Sequence, residues 1–194
     1  MQKIAIEYFG FEACIHKRRD FIDNSFHSTL SEARTLEYFS NSNINPGIYK
    51  MAINGFENSL FTYNISKEML FLVWIKTLFF GILFLSFGLF GYENVLILIF
   101  QISLPLILLQ NAIKHSLFVS RSKTIFNDYR KLFYDFKMDI DKTKKYPEIL
   151  TILLDYETAI SAANILLSDK VYNKLNRNLS DLWEKMKIEY NISS

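Results

Sequence analysis

Cysteine occurs once in this chain, at Cys14, which excludes an internal disulfide framework and any multi-thiolate metal site. A glycine-rich phosphate loop is missing, as are a zinc-protease His-Glu pair with its second His and a nucleophile elbow. An enzyme is therefore disfavoured, and no cofactor or metal is expected. Charge of one sign is also scarce: 22 Lys+Arg against 20 Asp+Glu leave a formal +2, too little to argue for nucleic-acid binding by the chain as a whole. Glu7 and Glu12 break the start before an apolar region develops, so no signal peptide is expected. There is no strand pattern longer than Ile4 to Phe9 and no internal repeat.

What is present is apolar. Of 194 residues, 50% are hydrophobic and 16% aromatic, and the mean hydropathy lies just above zero, which rules out a disordered solvating chain. Charge is unevenly spread. Residues 1–68 hold 7 basic and 8 acidic side chains, residues 69–113 one of each, and residues 114–194 14 basic and 11 acidic. The 22 residues from Met69 to Phe90 carry one charge, Lys76, and the 19 from Val95 to Ile113 carry none.

As helices these stretches reach roughly 33 and 28 Å, against a hydrocarbon thickness of about 30 Å. They predict two spanning helices, 69–90 and 95–113. A buried hairpin in a soluble all-α core is the other reading, but such a helix normally keeps a polar face, and here there is almost none. Lys76 costs roughly 3 kcal/mol in mid-membrane, outweighed by 15 Leu, Ile, Val and Phe residues at about −0.3 to −0.6 kcal/mol each. It also lies two turns from the start of the span, within snorkelling reach of the headgroups.

Gly91, Tyr92, Glu93 and Asn94 alone separate the spans, so the hairpin is antiparallel and both flanks share one side of the membrane. Lys50 and Lys67 precede it, Lys114, Arg121, Lys123, Arg130 and Lys131 follow it, and the turn has no basic residue. The positive-inside rule makes both termini cytoplasmic. The expected architecture is an all-α membrane protein: a cytosolic N-terminal helical region 1–68, a transmembrane hairpin 69–113 and a cytosolic C-terminal helical region 114–194.

In the first flank, Ile15, Ile22, Phe26, Leu30 and Ala33 predict a helix from about Phe11 to Phe39, ended by the turn cluster Asn41, Ser42, Asn43, Asn45, Pro46 and Gly47. Tyr49, Ala52, Ile53, Phe56 and Leu60 predict a short second helix, with Ser66 as a cap for the first span. In the second flank, Phe118, Ile125, Tyr129, Leu132, Phe136 and Ile140 continue the helical spacing of the second span without a break. Asp141 to Lys145 reads as a charged linker and Pro147 as the first turn of a helix that continues through Leu150, Leu154, Glu157 and Ile160. Ser168 is placed to cap a last helix with Val171, Leu175, Leu179, Leu182 and Met186 on one face.

Three features bear on function. The run His16, Lys17, Arg18, Arg19, with Arg34 four to five turns further on, reads either as a solvated charged face or as a strip gripping the phosphates of a nucleotide or short single-stranded oligonucleotide. Lys142, Lys144 and Lys145 form a weaker basic candidate, diluted by Asp139 and Asp141. In the second span Ser103, Ile107, Gln110, Asn111 and Lys114 follow one helical face, and Gln101 and Pro105 mark another. Polar groups in lipid seek protein or water, so this face either packs against a helix or lines a pore. Thr77, Gly81 and Gly88 on one face of the first span read as a close-packing surface. His16 and His27 read as surface histidines, and His115 as interfacial.

Two helices cannot enclose an aqueous path, so a lumen requires a symmetric homo-oligomer, for instance a tetramer. The layout of a helical flank, a two-span hairpin with a tiny turn, a helix leaving the membrane with Ser122, Tyr129 and Arg130, then Tyr146-Pro147 and Leu153 to Asn164, resembles the SLATT effectors of prokaryotic conflict systems. The resemblance covers about residues 60–185 and rests on architecture, with no short catalytic motif to match. It implies a nucleotide-gated pore in the bacterial inner membrane that kills or arrests infected cells and works beside a nucleotidyltransferase that makes the signal. The flank with Arg18 and Arg19 is long for that group, which implies an added ligand-sensing element. The competing expectation is a membrane-anchored helical scaffold that conducts nothing.

Overall fold

The computed structural model describes residues 18–30, 41, 43–89, 95–138 and 141–192, and every regular element among them is helical. Helix α1 covers 18–26, α2 runs Ile48–Leu89 and α3 Val95–Lys137. A 3₁₀ turn Lys142–Lys145 leads into α4, Tyr146–Ala163, and α5 is Asp169–Glu189. The strand-like stretch Ile4 to Phe9, His16 and the turn Gly91 to Asn94 lie outside the described residues.

The predicted helix Phe11 to Phe39 is interrupted. Residues 18–26 are helical, but His27 adopts φ 56° and 27–30 are irregular. The cause is local: the Asp23 carboxylate accepts the Leu30 amide at 2.8 and 2.9 Å and the Ser28 hydroxyl at 2.7 Å, bonds that compete with the helical ladder. The expected apolar stripe is turned outward, with Ile22, Phe26 and Leu30 exposed and Asp23 and Ser25 buried.

Gly47 starts α2. Its φ of 145° suits glycine alone, its amide donates to the Ser25 carbonyl at 2.8 Å, and its own carbonyl accepts from Met51 at 3.0 Å. From there α2 continues for 42 residues. The separate short helix and the Ser66 cap of the sequence reading are thus joined into one element. Ser66 lies inside it, its hydroxyl donating back to the Tyr63 carbonyl at 3.1 Å, as Asn64 does to Leu60 at 2.8 Å. Helix α3 is 43 residues long in all and continues past the second span, as its spacing predicts, with Pro105 inside.

The chain divides into two compact units. The first draws on Met1–Asn58, Asp128–Leu153 and Trp183–Ser194, and its core is aromatic. Phe56 stacks on Phe133 (centroids 5.0 Å apart) and Tyr129 (5.9 Å) and meets Trp183 edge-on at 5.4 Å and Tyr190 at 5.6 Å. Gly55 makes room for this. A methyl group on it would sit 2.8 Å from Tyr129 Cζ, so only glycine lets α2 approach α3 here. Arg130 Nε donates to Tyr190 Oη at 3.0 Å.

The charged linker is a 3₁₀ turn capped by Asp141, whose carboxylate accepts from the Thr143 amide and hydroxyl, bonds that hold it below the usual carboxylate range. Pro147 is the second residue of α4, where its missing amide costs nothing. The buried face of α4 carries Ile149, Ile152 and Tyr156, and the expected face residues Leu150 and Leu154 are exposed. The first two turns of α4 are apolar almost all round, so periodicity alone left the face ambiguous.

The second unit draws on Ser59–Asn127 and Leu154–Leu182. In it α2 and α3 run side by side. Tyr63 stacks on Phe126 at 5.9 Å, His115 Nε2 donates to the Ser66 carbonyl at 2.9 Å and Trp74 Nε1 to Ser116 Oγ at 3.1 Å. Ile65, Val171 and Leu179 form a small core with Phe61, Met69, Leu167 and Leu175 against it, and the Thr62 and Tyr156 hydroxyls share a hydrogen bond of 2.9 Å. Of the face expected on α5, Val171, Leu179 and Met186 are buried, Leu175 is half-buried and Leu182 is exposed.

Candidate functional site

Helices α2 and α3 each contain a stretch long and apolar enough to cross a membrane. A core helix of a soluble protein has the same composition but hides it. Here 6% of the most apolar window of α2 and 17% of that of α3 is buried. Phe71, Phe79, Ile82 and Leu85 on α2, and Ile102, Leu106 and Ile107 on α3, are half to two-thirds exposed. Each such side chain is worth about 1.5–3 kcal/mol when fully removed from water, so the pair is suited to lipid or to copies of itself. These observations support a membrane-embedded protein.

Within the hairpin the polar groups fall into two sets. The inner set is satisfied between the helices: Thr77 is buried with its hydroxyl 3.4 Å from the Leu108 carbonyl, and Trp74 and His115 make the bonds given above. His115 is 4% exposed and clamps α3 to α2. The outer set is the face expected to line a pore. Gln110, Asn111 and Lys114 are exposed, Ile107 is 52% exposed and Ser103 is half-buried. All five fall within about 100° of arc on an ideal helix. They therefore point away from the inner set, whose contacts use Leu108, His115 and Ser116. Further along α3 the same side of the helix closes over, with Phe118, Ile125 and Leu132 buried.

Of the close-packing surface expected on the first span, Thr77 is buried against α3, whereas a methyl group on Gly81 would meet nothing within 4 Å among the described residues. Lys76 is exposed.

The predicted phosphate-binding set is only partly placed. Arg18 is half-buried and Arg19 exposed on α1, and Lys17 and Arg34 lie outside the described residues. His27 is exposed, as expected of a surface histidine. The second basic candidate is occupied with internal contacts. Lys145 bridges Asp135 at 2.7 Å and Glu148 at 2.6 Å, which raises its pKa, and Lys142 sits 3.7 Å above the Tyr49 ring.

Two features escape a sequence reading. One is a polar network that ties α1 to α2: Asn54 Nδ2 donates to Asn24 Oδ1 at 2.9 Å and to Ser25 Oγ at 3.2 Å, and Asn41 Nδ2 donates to Asn54 Oδ1 at 3.0 Å and Glu57 Oε2 at 2.8 Å. Asparagine is read as a turn residue, and only the fold brings partners 30 positions apart together. The other is Lys50, 1% exposed, with no hydrogen bond or ion pair to it among the described residues, whose burial lowers its pKa. Among the described residues no cluster of His, Cys, Asp and Glu could hold a metal ion.

No protein-family model matches the chain, and no curated protein or solved structure matches it.

Proposed function

We propose that the protein is a homo-oligomeric pore-forming effector of a prokaryotic antiviral defence system, set in the inner membrane with both termini cytoplasmic. It is gated by an anionic nucleotide or short single-stranded oligonucleotide made by a partner nucleotidyltransferase. The observation that carries this reading is the open polar face of α3. Gln110 and Asn111 have no hydrogen bond within the described chain, and an amide facing hydrocarbon without a partner costs about 1–2 kcal/mol or more. A ring of copies around water satisfies that face. Its closure further along, at Phe118 and Ile125, fits a lumen bounded at one end of the span.

For the ligand, the support is the position of Arg18 and Arg19 on α1 and the Asn24–Ser25–Asn54 bonds that fasten α1 to α2, the helix that becomes the first span. A ligand opens or closes such a pore only if it binds the two states with different affinity, and a helix fixed to the span supplies that linkage.

The test is conductance of the purified protein in liposomes with and without nucleotides. Flux that responds to an oligonucleotide, falls when Gln110 and Asn111 are replaced by Leu, and loses ligand response in Arg18→Glu/Arg19→Glu supports the reading. Absence of conductance under every nucleotide condition overturns it and leaves the hairpin as an anchor for a helical scaffold.

A further inference from the structure

The loop between α4 and α5, Asn164 to Ser168, carries the most exposed large apolar side chain of the described residues outside the spans. Leu166 is 91% exposed, while its neighbour Leu167 turns inward onto the Ile65–Val171–Leu179 core. An isolated exposed leucine needs no explanation, but the place of this one does. The Ser168 amide donates to Met69 Sδ at 3.3 Å, and Met69 is the first residue of the apolar stretch of α2.

The helix register says the same. Tyr156 of α4 is bonded to Thr62 of α2, and both Ala163 and Met69 lie seven residues beyond those partners, so α4 descends alongside α2 and ends at the level where the span begins. Helix α5 then leads away, with Val171 against Ile65, Tyr172 against Phe61 at 6.1 Å and Lys174 paired with Glu68 at 2.7 Å. The loop is thus the turning point of a helix pair, held at the water–lipid boundary by Met69. At the start of α5 beside it Lys170 and Asp169 are exposed.

We propose that this loop is a second membrane contact: Leu166, flanked by Ile165, inserts into the outer acyl region of the leaflet next to the flanks, and Lys170 on the first turn of α5 meets lipid phosphates. This rests on the membrane-spanning reading of α2. An apolar tip with a cation beside it at the interface is the chemistry by which peripheral segments lie on a bilayer. The contact fixes the height and tilt of the α4–α5 pair over the lipid.

The test uses the full chain, with Cys14→Ser, reconstituted in vesicles of phosphatidylcholine and phosphatidylglycerol. A polarity-sensitive nitrobenzoxadiazole label is placed singly at Leu166→Cys, at Ser180→Cys about 16 Å further along α5, and at Ile82→Cys within the span. The expected result is a blue-shifted emission at 166 that loses intensity to lipids bearing a shallow nitroxide, at 82 a loss greatest with a mid-chain nitroxide, and at 180 neither. A label at 166 that behaves like the one at 180, while 82 is quenched, overturns the loop contact and leaves the spans in place. Failure of quenching at both 82 and 166 overturns the membrane reading and this proposal with it. A blue shift at 166 without lipid quenching also overturns it, since the cover is then protein.

Discussion

The two ends of helix α2 are built on opposite rules. From Met51 to Phe56 every residue is buried, and between Lys67 and Ser86 the only buried side chain is Thr77. The first end is less apolar, with Asn54 and Gly55 in it, yet it is the packed one. The second is nearly all hydrocarbon and touches little. Burial inside a chain therefore does not follow hydrophobicity. It follows which partners the fold supplies, and where the fold supplies none, the environment must.

The sharpest way to break this comparison is to truncate an aromatic at each end. Phe56→Ala is expected to destabilise by about 3–5 kcal/mol, because four rings lose their common neighbour, while Phe79→Ala, at 61% exposure, changes stability by less than about 0.5 kcal/mol. Chemical unfolding in detergent, followed by near-ultraviolet circular dichroism, reads both. Equal effects mean that the span is packed by something outside the chain.

Next come the two glycines. Gly55→Ala drives a methyl group into the Tyr129 ring and should cost about 1–3 kcal/mol, whereas Gly81→Ala meets open space and should be neutral or stabilise by up to about 1 kcal/mol through helix propensity. If Gly81→Ala instead dissociates an oligomer on size-exclusion chromatography in detergent, a neighbouring copy occupies that space.

Smaller effects concern buried and paired charge. Lys50→Met should stabilise by about 1–2 kcal/mol near neutral pH by removing a covered ammonium that has no partner among the described residues. Its pKa is lowered on folding, so the unfolded chain holds the proton more tightly. Wild-type stability then rises with pH from that lowered value towards 10.5, and the variant lacks this rise. Lys145 has the opposite sign. Hydrogen bonds that its ammonium donates to Asp135 and then Glu148 raise its pKa, so its contribution is full below 10.5 and fades as pH climbs through the raised value. Lys145→Met should cost less than about 1 kcal/mol and flatten that alkaline loss in pH-dependent melts.

Much of the frame was legible from composition and spacing, because a bilayer imposes length and apolarity that no other environment does. The two long apolar helices, the run of α3 out to Lys137, Pro147 in the first turn of α4 and Ser168 directly before α5 all follow from local rules. The continuity of α2 did not follow, because Ser66 has the chemistry of a cap, and nothing local distinguishes a cap from a hydroxyl bonded back to its own helix. The break after Phe26 depends on Asp23 reaching seven residues ahead, against a strong helical stripe.

For the site, the face Ser103 to Lys114 was readable because helix geometry fixes it once the helix is granted. The buried role of His115 was not, since it required the facing carbonyl of Ser66. The Asn24–Asn54–Asn41 network was invisible for the same reason. Its partners meet only in space.

The 42 residues of α2 form a rod of about 63 Å with no proline in its backbone ladder. Bending such a rod sharply breaks hydrogen bonds that hydrocarbon cannot replace, so its inexpensive motions are swivelling and leaning as one piece. Whatever acts on the Asn54 end must therefore speak to the Phe79 end mechanically, as torque or lean, with no unwinding in between.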